Sequence, residues 1–119
     1  MILEHQGAKF DVEKLVAETE QLKFYLCTEV ETGRPCLLQV TTSPAFNGEL
    51  DRAAFILREL RRTADQFEAE YAKQGTGRKL SYEYLFPEVV ASFVAADHGG
   101  RRVNILAFAE VDDILKLVP

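Results

Sequence analysis

The stretch Leu22–Val40, LKFYLCTEVETGRPCLLQV, decides the fold. In its first half Leu22, Phe24 and Leu26 alternate with Lys23, Tyr25 and Cys27, the period of two that a half-buried strand requires. Glu31-Thr32-Gly33-Arg34 reads as a turn. Cys36-Leu37-Leu38-Gln39-Val40 returns as a nearly continuous apolar strand whose one polar interruption is Gln39. Upstream, Phe10, Val12, Leu15 and Val16 extend the β-like pattern, so three strands fit between Phe10 and Val40. Residues 1–9 show no sustained period and read as an arm.

Downstream, Ser43-Pro44 and Asn47-Gly48 mark a loop, with Asn47 placed to cap a helix. Ala53, Leu57, Leu60, Ala64, Phe67 and Tyr71 then recur every three or four residues, one apolar stripe along that long helix, with Gly75 as its stop signal. Phe55 points away from that stripe. Gly75-Thr76-Gly77-Arg78-Lys79 is not a phosphate loop, because its glycines come after a helix and Lys79 precedes Leu80, so it reads as a linker. After Pro87, Glu88–Asp97 and Arg101–Ala109 are two apolar runs joined by Asp97-His98-Gly99-Gly100, a hairpin signal that puts His98 in a solvent-facing turn. Asp112 and Asp113 open a short terminal helix in favourable register with its dipole. The order predicts an α+β fold: a five-stranded antiparallel sheet with one long helix packed on a face.

The 119 residues fill one domain, and 47% apolar content suits one core. A net charge of −5 offers no field for phosphate backbones or anionic lipid, which argues against nucleic acid and membrane as partners. No apolar run reaches the roughly 20 residues of a spanning helix, and no secretion signal opens the chain, so a cytoplasmic location is expected. Cys27 and Cys36, the only cysteines, read as reduced packing residues, although a bridge across the hairpin is geometrically open. His5 and His98 are the only histidines and neither has ligand spacing from a cysteine, so no metal is expected. Ser43, Ser81 and Ser92 lack a histidine partner or a nucleophile elbow, which leaves hydrolase chemistry without support.

The order of elements and several local stretches resemble the N-terminal lobe of a protein kinase. Lys23-Phe24-Tyr25-Leu26-Cys27 resembles the V-Y-x-A segment of that family's second strand. Gly33–Val40 resembles the turn into its V-A-I-K third strand. Leu57-Arg58-Glu59-Leu60 is similar to the helix segment whose Glu pairs with the strand lysine. Phe86-Pro87-Glu88-Val89-Val90 and Ile105-Leu106-Ala107-Phe108-Ala109-Glu110 resemble the fourth strand's start and the passage from the fifth into the hinge. The resemblance implies an arm over residues 1–9, a lobe over 10–110, and a hinge with the start of another helix over 111–119. Pro119 then reads as a boundary inside a longer polypeptide.

Departures from the family govern the expected function. The resemblance puts Gln39 at the lysine position, a neutral side chain that cannot supply the charge-assisted phosphate contact. It leaves Glu59 without its family partner, free to pair with a nearby arginine. The segment Leu15–Leu22 carries no glycine and two carboxylates where a polyphosphate would lie. Phe24 and Leu37 stand where small residues sandwich the adenine base, and Leu106 takes the gatekeeper-like position. No catalytic residue, cofactor or metal is therefore assigned, and the chain is not expected to be an enzyme.

Three functions fit these residues. The first is a non-catalytic, pseudokinase-like N-lobe serving as a regulatory or protein-binding module of a longer protein. Its partner-binding residues would be Phe55, Arg58, Arg61 and Arg62 on the long helix, and its partners another protein or the C-terminal lobe, with self-association of the fragment expected. The second is the N-lobe of a divergent active kinase that recruits its phosphate-binding cation from Arg34, Lys23 or a second lobe. The third is a free-standing α+β module that takes a peptide on its sheet edge.

Overall fold

The computed structural model describes residues 1–73 and 87–116, with the backbone alone for residues 67, 68 and 70–73. Ile2–His5 (β1), Ala8–Glu18 (β2), Leu22–Glu29 (β3) and Pro35–Thr41 (β4) form a continuous antiparallel meander. A 3-10 turn over Pro44–Phe46 leads into the helix Asn47–Lys73 (α1). Glu88–Ala95 (β5) and Arg101–Ala107 (β6) complete the sheet in the order β1-β2-β3-β4-β6-β5, and the short helix Val111–Leu115 (α2) comes last.

The sheet has six strands where the sequence predicts five, because part of the expected arm is β1. The turn Gln6-Gly7 takes positive φ at both residues, 50° and 84°, the two-residue geometry that fits the twist of an antiparallel pair. Only four residues long and mixed in polarity, β1 is stable as the partner of β2 and carries no periodic signal of its own. The expected hairpin between the last two strands is present, with Gly99 and Gly100 at φ near 74° and 73° where a Cβ would be strained.

Alternation along the strands separates two faces. Phe10, Cys27, Cys36, Leu38, Val103 and Ile105 fill the concave face, and Phe24, Leu37 and Leu106 form the face that carries α1 and α2. Register offsets at Glu13 and Val16 in β2 and at Val90 in β5 are bulges, which raise the local twist and curl the sheet around the concave core. Cys27 and Cys36 lie directly opposite one another on β3 and β4, reduced and buried. Hydrogen bonding to Cys36, together with burial, pushes the Cys27 thiol well above its usual pKa.

The inward face of α1 differs from the expected stripe. Leu50, Ala54, Leu57 and Ala64 turn toward the sheet, whereas Leu60 is largely exposed, a rotation of about 50° at 100° per residue. Docking of the first helical turn sets this phase. Thr41 Oγ1 donates to Asn47 Oδ1 (2.8 Å), the Arg102 amide donates to the same oxygen (2.8 Å), and Asn47 Nδ2 donates to the Gly100 carbonyl (2.8 Å). Asn47 thus joins the start of α1 to β4 and β6. One turn on, fully buried Asn104 donates to the Leu50 carbonyl (2.8 Å) and accepts from Ser92 Oγ (2.6 Å). Arg102 Nη2 closes the group by donating to Ser92 Oγ and pairing with Asp51 (3.1 Å). The expected linker Gly75–Lys79, the stop at Gly75 and Phe86 lie outside the described residues, as do the side chains of Phe67 and Tyr71.

At the opposite end, Arg34 ties the β3–β4 turn to β5, with Nε 2.9 Å from Glu29 Oε1 and Nη1 2.7 Å from Glu88 Oε2. The Thr32 hydroxyl and then the Arg34 guanidinium hold the Glu29 carboxyl below the usual range.

Asn104→Leu removes the hydrogen bonds to the Leu50 carbonyl and from the Ser92 hydroxyl, which still accepts from Arg102, and urea denaturation should show a loss of about 0.5–1.5 kcal/mol for each bond removed. Gln39→Leu, at the cross-strand neighbour whose side chain makes no hydrogen bond among the described residues, should be close to neutral in the same assay. The lowered Glu29 pKa contributes stability that is complete above the ordinary Glu value of about 4.3 and is lost as pH falls through the folded value. Denaturation midpoints of wild type and Glu29→Gln should therefore differ at neutral pH and converge in acid.

Candidate functional site

The helix-side face of the sheet brings together three of the residues singled out from sequence. Phe24 on β3, Leu37 on β4 and Leu106 on β6 are all buried and belong to one apolar cluster with Phe108 and Ile114. Cross-strand register explains the meeting: Leu26 faces Leu37, Leu37 faces Leu106, and side chains on one face of neighbouring strands stand about 5 Å apart. Val16, Ala17 and Leu22 pack against the cluster from the β2–β3 end.

Ile114 is the member that the sequence did not single out. It sits on α2, between acidic Asp113 and exposed Leu115, and is 0% exposed. The backbone of Phe108 donates to the Pro35 carbonyl (3.0 Å), which extends the β4–β6 pairing past the end of β6, and Asp113 N donates to Glu110 O (3.2 Å) as the chain turns into α2. That course lays α2 against β4 and drives Ile114 among Phe24, Leu37 and Leu106. An apolar residue in an acid-opened helix is the only signal in sequence, and it does not report depth.

The polar members are dispersed. Gln39 stands between Phe24 on β3 and Asn104 on β6, half-buried, and its side chain makes no hydrogen bond with the described residues. Glu59 does not reach it: its carboxylate pairs with Arg62 of the next helical turn at 2.8 Å, which lowers the Glu59 pKa. The expected pairing of Glu59 with an arginine is thus present, on an exposed helix surface.

The β2–β3 turn is closed from within. Thr19 Oγ1 accepts from the backbone amides of Gln21 (3.3 Å) and Leu22 (3.0 Å) and donates to the Leu22 carbonyl (3.4 Å). Thr42 then fixes the turn to the end of β4, its amide donating to Gln21 O and its hydroxyl to Glu20 O. A phosphate cradle needs amides free to point at the anion. Here two of them already have an acceptor, and Glu18 and Glu20 add negative charge at the same turn, Glu18 facing Lys23 at 3.9 Å.

The four helix residues expected to bind a partner do not form one patch. Phe55 is 65% exposed, and Arg58 and Arg62 share its outward face. Ile56 and Leu60 are also exposed, on a different side of the helix from Arg58 and Arg62. Arg61 lies on the other side, half-buried, where it lines a recess of about 370 Å³ with Arg34, Glu88 and Phe108.

No protein-family model matches the chain, and no curated protein sequence matches it. Among solved structures the chain is similar to the crystal structure of the BubR1 kinase domain, with a TM-score of 0.54 and 16% identity over 92% of this chain. The fold is that of a kinase-like domain. The chain spans about a quarter of that relative's length, 27%.

Ile114→Ala removes a side chain packed on all sides and should cost about 2–5 kcal/mol in denaturant unfolding. Because α2 has five residues and docks mainly through this side chain, amide hydrogen exchange over 111–115 should accelerate in the variant more than exchange in β3 and β4.

Proposed function

We propose that the chain is the N-terminal lobe of a pseudokinase-like domain that binds no nucleotide and works as a protein-binding, regulatory module within a longer protein. One observation carries this: the slot where a nucleotide base would enter between the strands and the hinge is occupied by the protein's own Ile114, packed against Phe24, Leu37 and Leu106. The self-bonded turn at Thr19 and the neutral Gln39 support the same reading, since neither backbone amides nor a cation stand ready for phosphate oxygens. Loss of ligand chemistry leaves surface as the means of action. The outward face of α1 presents exposed Phe55 beside Arg58 and Arg62, an aromatic side chain with arginine neighbours, residue types that protein interfaces use. No helix among the described residues is long and apolar enough to cross a membrane.

The test is a thermal-shift titration with ATP and magnesium, made on this chain and on a longer polypeptide that carries it. A ligand at 100 times its Kd stabilises a protein by about 2.7 kcal/mol, a readily measured rise in Tm. A flat response is expected from both, and also from Gln39→Lys, because a restored cation leaves Ile114 and the Thr19 turn in place. A magnesium-dependent rise in the longer protein would instead install the divergent active kinase as the better account.

A further inference from the structure

The concave face of the sheet holds a second feature, separate from the filled slot and unrelated to nucleotide. In strand order β1 and β5 are the two edges of the sheet, yet the curl brings them together: the rings of His5 and Phe93 stack with centroids 3.9 Å apart and planes within 8°. This ring contact spans the curl, while β1 and β5 remain the two edges of the sheet. One end of the interior is solid, filled by Phe10, Cys27, Cys36 and Ile105. Toward the other end the filling stops, and a cavity of about 470 Å³ remains, lined by Leu3, Val12, Tyr25, Val40, Val103 and the turn residue His98. Five strands contribute to these walls.

We infer that this cavity is a binding site for a neutral, mostly apolar small molecule with a single hydrogen-bonding end. Its volume lies within the about 300–1,000 Å³ of small-molecule sites and is about three times the roughly 150 Å³ cavity that takes one benzene ring. The walls are mainly aliphatic, and the charged side chains among them, Glu13 and Lys14, are opposite in sign, so an ion meets no net counter-charge. Tyr25 supplies the polar handle. Its hydroxyl makes no hydrogen bond with the described residues and is left open to a ligand or to solvent. The site lies across the sheet from α1, and clefts of this size are recurrent places for small molecules.

Fluorescence titration of the whole chain with N-phenyl-1-naphthylamine, a neutral aromatic probe bearing one N–H, tests the site. Saturable binding of one probe per chain is expected, with displacement by 1-decanol. Val40→Phe fills the cavity and should weaken binding at least tenfold. Should the larger ring compromise folding, as read by circular dichroism, Leu15→Glu at the exposed rim serves instead and should also weaken binding tenfold. Tyr25→Phe should weaken it several-fold, while Phe55→Ser, on the outward face of α1, should leave it unchanged. Absence of saturable binding, or binding that a folded Val40→Phe or Leu15→Glu variant retains in full, overturns the assignment. Neither result bears on the nucleotide titration, which concerns the opposite face.

Discussion

The seating of α1 depends on a small buried group of hydrogen bonds. Thr41 and Asn104 are both fully buried polar residues, and the group they form with Asn47, Ser92 and Arg102 joins three strands to the first helical turn. A long amphipathic helix can roll on an apolar sheet at little cost, because dispersion and hydrophobic burial are not directional. Hydrogen bonds to a buried amide are directional, and leaving one unmade is expensive. Asn47 and Asn104 therefore decide which residues of α1 face inward. By fixing Leu50, Ala54 and Leu57 there, they also leave Phe55 and Ile56 outside.

One sheet thus serves two different ends through its two faces. On the helix side, each apolar side chain contributed by the strands finds another, and Ile114 completes the packing from α2. On the concave side, curvature encloses more space than the side chains fill. The bulges at Glu13 and Val16 increase the twist of β2, and the His5–Phe93 stack holds the edges together. A flat sheet with the same alternation would expose the concave residues to water and would have no cavity.

The kinase-like fold and the chemistry of its site are separable. A phosphate site needs unfilled space, free amides and a cation in one place, and each is used otherwise here. The space holds Ile114, two turn amides bond to Thr19, and the basic side chain Arg34 is engaged by Glu29 and Glu88 at the far end of β4. Packing and hydrogen bonding at these positions stabilise the fold without disturbing the strand order.

Much of this was legible in the residues themselves. The alternation in Leu22–Val40, the glycine turns and the three-to-four spacing after Asn47 fix the strand and helix content, because backbone preference and side-chain period are local properties. The absence of a lysine at Gln39 and of glycine between Leu15 and Leu22 was equally plain, being a matter of which atoms the chain contains. Tertiary structure alone decided the rest. The short strand β1 exists because β2 pairs with it, the inward face of α1 comes from hydrogen bonds to residues about 55 positions away, and the depth of Ile114 depends on where the turn after β6 directs α2. The meeting of His5 with Phe93 and the cavity between the strands likewise depend on the path of the whole sheet. Each is a long-range juxtaposition, and a period read along the chain has no term for the distance between residues that only folding brings together.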